Sequence, residues 1–210
     1  LANITLDSAA PDRTLHTSGR FNIPLDLTLA PGMTLQSSAE LSFTGTSGTQ
    51  NLAVAGGTGT ATAQLDGGRF IVNASYYGNA SLDINPGITL RGWGSIVNYG
   101  SYQGAQLLNH GVIEASSSGQ TLQISTGSSS NSGNGALVPG FRNAGTLRAS
   151  SGGVLEIGAY ANDSWASDPG ARIELAGGTV RLGGGFTATD LLNGTVNPLS
   201  IISGSGSIYV

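Results

Sequence analysis

The sequence contains no cysteine, no lysine and few charged residues of either sign. Without cysteine, disulfide cross-links and thiolate metal sites are excluded. All eight cations are arginines, and no two of them are adjacent. Nucleic-acid binding requires clustered lysine and arginine, whereas the net charge here is −4. We therefore expect no nucleic-acid partner.

Long apolar runs are also missing. No segment approaches the ~18–20 apolar residues that cross a bilayer, so we expect no membrane span. Residues 1–6 already alternate like a strand and do not resemble a signal peptide. The chain lacks an initiator methionine and opens inside a pattern. We expect residues 1–210 to form a single segment, excised or processed from a longer repeat protein.

Glycine is abundant, at 34 residues, while charged residues make up 10% and apolar residues 39%. A chain of this kind hides its apolar side chains with few ion pairs and many turns, which favours an all-β fold with short strands. No apolar spacing of three and four residues persists over a dozen positions. We therefore expect little or no α-helix.

One short phrase occurs twice in the middle of the chain. Residues 108–116 and 142–150 match, as do the segments that follow, 119–124 and 152–157. Corresponding residues lie 33 or 34 apart, and a third relative covers residues 171–182. Self-similarity at such a spacing is typical of solenoids and other arrays.

The asparagines of the Asn-x-Gly sequences, Asn98, Asn109 and Asn143, are expected in turns. Their amides either bond to the backbone of a neighbouring copy or face solvent.

A second repeat pairs residues 27–35 with residues 82–90, which lie 55 positions later. Both copies read as strand, Pro-Gly turn, strand, because proline presets φ at the first turn position and glycine accepts the positive φ of the next. A truncated echo closes the chain, where residues 203–209 resemble residues 91–97.

Alternation assigns the side chains of these copies to two faces, because neighbouring residues of a strand point to opposite sides. The face predicted to be buried carries Ile113, Ala115, Leu122, Ile124, Leu147, Ala149, Leu155, Ile157, Ile173, Leu175, Val180 and Leu182. The opposite face carries Glu114, Gln123, Arg148, Glu156, Arg172, Glu174 and Arg181. We expect the first set to form the core and the second to face solvent.

A unit of strand, glycine corner, strand and variable loop cannot bury its apolar face alone, but stacked units bury a common one. The sequence therefore predicts a single-stranded parallel β-helix, a solenoid. The alternative that the same alternation permits is an antiparallel β-sandwich or jelly roll.

Three of these phrases, residues 86–100, 109–115 and 143–149, resemble those of bacterial exported β-helix surface proteins, the haemagglutinin-like and autotransporter-passenger-like adhesins. The resemblance covers residues 82–182 well. It implies an extracellular or bacterial cell-surface location, an elongated shape, and a role in adhesion or in building extracellular structure. It brings no catalytic residue with it.

Catalytic signals are sparse. The two histidines are His16 and His110, and His110 stands where the sister copy has Ala144, so we interpret it as a turn residue without a role. The enzyme alternative is a polysaccharide lyase or hydrolase that uses the loop carboxylates Asp163 and Asp168. We expect no catalytic residue, metal or cofactor.

Binding of a carbohydrate or a host-surface ligand, as in a carbohydrate-binding module, is the stronger possibility. Aromatics are concentrated between residues 70 and 102, and exposed aromatics suit sugar stacking or a protein contact. The predicted binding residues are Trp93, Tyr99, Tyr102 and Trp165. The threonines at 58, 60 and 62 suggest an ice-binding face, but that run does not repeat along the chain.

An open solenoid exposes strand edges at both ends, which predicts head-to-tail self-association or continuation into a longer chain. The sequence thus favours a non-enzymatic, extracellular structural or adhesive β-solenoid, either an adhesin stalk or a subunit that assembles end to end into fibres. The alternative is a carbohydrate-active β-helix or a carbohydrate-binding module.

Overall fold

A computed structural model describes residues 4–7, 13–72, 80–98, 105–130, 137–187, 200–203 and 207–209. These residues are all-β, as predicted, with no α-helix and one 3-10 turn at Ala55–Gly57. They include no helix with the length and apolar character required to cross a membrane.

Seven strands form the first sheet, sheet 1, and all of its neighbours are parallel and follow chain order. They are β1 (Ile4–Leu6), β4 (Leu27–Leu29), β7 (Thr49–Val54), β9 (Ser81–Ile84), β11 (Leu107–Asn109), β16 (Phe141–Asn143) and β19 (Trp165–Ser167). Consecutive members come from successive passages of the chain, which is the pairing expected of stacked repeats.

The second sheet, sheet 2, has fourteen strands arranged in two rows. Row 1 contains β2 (Thr14–Thr17), β5 (Thr34–Ser37), β12 (Val112–Ala115), β17 (Thr146–Ser150), β20 (Arg172–Ala176) and β22 (Ser200–Ser203). Row 2 contains β3 (Phe21–Ile23), β6 (Glu40–Phe43), β13 (Thr121–Ser125), β18 (Val154–Ile157), β21 (Thr179–Leu182) and β23 (Ser207–Tyr209). Two long strands, β8 (Ala61–Val72) and β10 (Ile88–Asn98), pass through both rows.

All pairs in both sheets are parallel. The remaining pair, β14 (Ser128–Ser130) with β15 (Leu137–Pro139), is a short antiparallel ribbon between β13 and β16. The antiparallel sandwich is therefore wrong for the described residues. The parallel pairing is compatible with the predicted β-helix.

Each passage of the chain through sheet 1, row 1 and row 2 forms what we call a level. The register between levels matches the repeat: Asn109 pairs with Asn143, Ile113 with Leu147, and Leu122 with Leu155. The two Pro-Gly copies do not pair in this way, because they do not contact each other directly. Leu35 and Leu90 both pair with Ala63, so β8 lies between the two copies.

Glycines allow β8 and β10 to turn the corner between the rows without a break. Gly92 has a φ of 116°, and a Cβ there would lie 2.0 Å from the carbonyl oxygen of Leu65 on the neighbouring level. A side chain at this position would push the two backbones apart, so only glycine allows the approach.

The alternation prediction is confirmed. Every aliphatic residue of the predicted inner face is buried, with no more than 7% of its surface exposed, and the charged set on the opposite face is partly or fully exposed. The buried residues form one continuous core through the levels. Each fully buried Leu or Ile contributes about 1.5–3 kcal/mol by leaving water.

Candidate functional site

The outer face of sheet 1 contains a groove with a volume of about 290 Å³. It crosses β11, β16 and the end of β19, and its lining consists of Gln106, Leu108, His110, Arg142, Ala144 and Asp168. Two pairs of charged or titratable side chains, one at each end, define its chemistry.

The first pair is Arg142 with Asp168. The Nε of Arg142 donates to Oδ1 of Asp168 at 2.7 Å, and a terminal guanidinium nitrogen lies 2.6 Å from the same oxygen. This hydrogen bond raises the pKa of Arg142 further above its ordinary value, and its effect exceeds the opposing effect of desolvation. The guanidinium is therefore fixed in place and charged at any physiological pH, with about half of its side chain still exposed.

The second pair is His110 with Asp83. Nδ1 of the imidazole lies 2.7 Å from Oδ1 of Asp83, with 43% of the His110 side chain and 20% of the Asp83 side chain exposed. His110 lies in the turn between β11 and β12, and its imidazole has a carboxylate partner that the sequence does not reveal. It is held by a carboxylate on the preceding level and presents its ring to the groove.

Sequence reasoning missed this groove because both pairs are diagonal. Asp83 stands in register with Leu108, and His110 lies two residues beyond it. Arg142 stands in register with Ala166, and Asp168 lies two residues beyond that. Diagonal neighbours in a sheet remain within reach of long side chains. The signal is visible only once the register is known.

The loop carboxylate Asp163 is buried and surrounded by hydrogen-bond donors. It is only 4% exposed, and its carboxylate accepts hydrogen bonds from the backbone N–H of Gly127 at 2.7 Å, the hydroxyl of Ser125 at 3.2 Å and the N–H of Tyr160 at 2.9 Å. It ties the turn after β13 to the loop before β19. Because Asp168 pairs with Arg142 in the outer groove, the two loop carboxylates serve different contacts.

Trp165 requires a correction. It lies in β19 with 2% of its surface exposed, so the predicted exposed sugar platform is absent at this residue. Its indole N–H donates to the carbonyl oxygen of Gly183 at 3.1 Å, and its ring packs on Phe186 at a centroid distance of 4.9 Å. Alternation places Trp165 on the inner face, in register with the buried Phe141.

Trp93 lies on the outer face of β10 and is half-buried, as the inward orientation of Ile96 predicts. Its ring covers Gly67 of the neighbouring level: a Cβ at Gly67 would lie 2.5 Å from the indole. Binding by Trp93 stays a prediction. Tyr99 and Tyr102 lie outside the described residues.

Asn109 and Asn143, which the sequence places in turns, are instead the last residues of β11 and β16, and they form a buried ladder. Asn109 and Asn143 are both 0% exposed, and Nδ2 of Asn109 donates to Oδ1 of Asn143 at 2.8 Å and to the carbonyl oxygen of Thr146 at 3.4 Å. The amide of Asn98 instead bonds to the carbonyl oxygen of Ala105 at 3.1 Å. For Asn109, the interpretation that the amide bonds to a neighbouring copy is confirmed.

Two outward columns run along row 1. One alternates charge over three levels, because Arg148 pairs with Glu174 at 2.6 Å and lies 4.0 Å from Glu114. The other is rich in threonine and comprises Thr14, Thr34, Thr62, Thr89, Val112 and Thr146. A threonine row thus does repeat across the levels, and of the 58–62 run only Thr62 belongs to it. It is a single row, since the neighbouring column is glutamine, arginine and glutamate.

Two further depressions, of about 360 and 270 Å³, lie near the loop after β6 and near His16. Within the part of the chain that the structure describes, no three His, Asp or Glu side chains are grouped to hold a metal ion. No family model, curated protein or solved structure shows a significant match to this chain.

Proposed function

We propose that the two sheets are the walls of a single-stranded parallel β-helix. In this proposal the chain is a non-enzymatic, extracellular β-solenoid of a bacterial surface or matrix protein, and its function is structural and adhesive. The solenoid is a rigid support, and binding is a property of its outer faces and loops.

The observation that carries this proposal is the unbroken parallel register of sheet 1 over seven strands. Each level passes from sheet 1 to row 1 and row 2 and then returns to sheet 1, one strand further along. At about 4.8 Å per level, such a stack grows along one axis and presents the same outer positions at regular intervals. This geometry suits a stalk or a fibre.

The environments of the carboxylates support a non-enzymatic role. Asp163 accepts three hydrogen bonds in the interior, and Asp168 is neutralised by Arg142. Glycoside hydrolysis instead needs two carboxylates that flank one sugar bond, one as acid and one as base or nucleophile. The resemblance of the repeated phrases to exported adhesins supports the extracellular location.

Incubation with a panel of polysaccharides tests the proposal against the enzyme alternative. We expect no cleavage by the chain, by Asp163→Asn or by Asp168→Asn. Cleavage that both substitutions abolish would overturn the non-enzymatic role. Cleavage that neither substitution affects would indicate a contaminating activity, and repurification must then remove it.

Electron microscopy at increasing protein concentration tests the shape and the self-association. We expect short rods that join end to end, because strands at the two ends of a stack present backbone donors and acceptors to a further strand. Dispersed rods at every concentration would contradict self-association but not the solenoid. Compact, round particles would contradict both.

A further inference from the structure

The groove on the outer face of sheet 1 combines planar polar groups with an apolar floor. Gln106, His110, Arg142 and Asp168 supply amide, imidazole, guanidinium and carboxylate groups around its rim. Leu108 and Ala144 lie between the two charged pairs, on neighbouring levels. The groove spans the levels of β11, β16 and β19, two steps of about 4.8 Å, so it is long enough for more than one small ring.

The charges of Arg142 and Asp168 compensate each other, and the imidazole of His110 is held by Asp83. Asp168 lies 2.6 Å from the guanidinium of Arg142, and Asp83 lies 2.7 Å from the imidazole of His110. An anionic ligand would compete with Asp168 for the guanidinium of Arg142, and a cationic ligand would be repelled by the same guanidinium. A neutral ligand rich in hydroxyl groups can donate to the carboxylate of Asp168 and accept from the guanidinium of Arg142 without breaking their ion pair.

The apolar floor of the groove indicates that one face of the ligand should be apolar. Leu108 and Ala144 are half-buried aliphatic side chains, and they offer C–H surface to a ring that is apolar on one face. A pyranose has such a face and carries its hydroxyl groups around its edge.

We propose that this groove binds a neutral oligosaccharide. A pyranose face packs on Leu108 and Ala144, and its hydroxyl groups bond to Arg142, Asp168 and His110. The site differs from the aromatic residues predicted from the sequence. This proposal names a class of ligand for the adhesive role proposed above, and it rests on that role.

Nuclear magnetic resonance of the imidazole groups gives a local readout, because the chain has only two histidines. His110 lines the groove, whereas His16 lies in row 1 of sheet 2. The probes are the neutral trisaccharides cellotriose and mannotriose, the acidic trigalacturonic acid, and a neutral glycine–serine peptide of similar length. We expect a neutral trisaccharide at millimolar concentration to shift the His110 resonances saturably and to leave those of His16 unchanged.

Arg142→Ala is expected to weaken this binding by about tenfold or more, because a hydrogen bond from a charged group is lost. The matched control is Arg148→Ala, which removes an ion-paired arginine from the outer face of sheet 2 and should leave binding unchanged. Ala144→Trp, which fills the floor, should also block binding. Circular dichroism confirms that each variant is folded.

The proposal is overturned if neither neutral trisaccharide shifts His110, or if both histidines shift alike. It is also overturned if only the acidic sugar binds, or if the peptide binds more tightly than either neutral sugar. A negative titration with rods still visible by electron microscopy would refute the groove alone. Compact particles would refute the solenoid whatever the titration shows.

Discussion

Two buried amides follow a column of aliphatic side chains inside sheet 1, and the buried Ser167 comes after them. The column passes through Leu27, Leu52 and Ile84 before it reaches Asn109 and Asn143. The two amides share a hydrogen bond of 2.8 Å, but Oδ1 of Asn109 and Nδ2 of Asn143 lack a partner among the described residues. A half-satisfied buried pair costs stability in proportion to the polar atoms it leaves without a partner.

Replacing one asparagine should therefore be worse than replacing both. We expect Asn143→Leu alone to cost about 1–3 kcal/mol, because it removes the shorter of the two hydrogen bonds that the buried Asn109 amide donates. The double substitution with Asn109→Leu continues the aliphatic column and should lie within about 1 kcal/mol of the original chain. Urea denaturation of both single variants and the double variant gives the coupling energy. A double variant that loses the sum of the two single losses would contradict this account.

The core position Leu155 and its exposed neighbour Glu156 test the assignment of faces. Leu155 is 0% exposed, so Leu155→Ala should cost about 2–5 kcal/mol through lost burial and a residual cavity. Glu156 makes one outer-face hydrogen bond, with Gln123 at 3.0 Å, and Glu156→Ala should cost about 0.5 kcal/mol. Equal losses in a denaturant series would show that the two faces are wrongly assigned.

At the scale of the strand, internal repetition gave reliable register wherever neighbouring levels have similar sequences. The strands β12 and β13 pair with β17 and β18 at the spacing that the repeat predicts. Alternation then placed every aliphatic residue of the predicted inner face correctly, because the side-chain period of a strand is two and burial acts on one face only.

Other features depend on which levels are neighbours, and the sequence does not state this. The Pro-Gly copies resemble each other, yet β8 separates them. The groove arises from diagonal contacts across three steps, which no local pattern reveals. Trp165 was taken for a loop residue because its surroundings are rich in Asp, Ser and Pro, although the alternation of Asp163, Trp165 and Ser167 places all three inward.

The corner glycines of β8 and β10 yield a prediction at this scale. Gly92→Ala should destabilise the chain by about 3 kcal/mol or more, because the new Cβ would lie 2.0 Å from a backbone oxygen at a φ of 116°. The matched control is Gly119→Ala, where φ is also positive but nothing lies within 4 Å, and it should cost about 1–2 kcal/mol. Thermal unfolding compares the two variants. Similar losses would mean that close approach of the levels is not what requires glycine at residue 92.

For the whole molecule, stability depends on contacts between neighbouring levels. Backbone hydrogen bonds and buried side chains connect each level to those beside it, as Leu90 contacts the levels of Ala63 and Ile113. The outer ion pairs also join levels, and Arg148 reaches both Glu114 and Glu174. A central level therefore has two stabilising neighbours, whereas a level at the end of the sheets has one.

The rates of amide hydrogen exchange should reflect this difference between central and terminal levels. Amides of β8 and β10 should exchange slowest, and those of β2 and β3, at one end of sheet 2, should exchange faster through local opening. Leu90→Ala in the central level should accelerate exchange most in β8, β10 and β12. The acceleration should decrease with each further level, because a loss of stability in one level acts mainly on the levels next to it. Mass spectrometry of peptide fragments resolves these segments. Equal acceleration in every strand would show that the chain opens as one cooperative unit, and that coupling between levels exceeds the stability of any one of them.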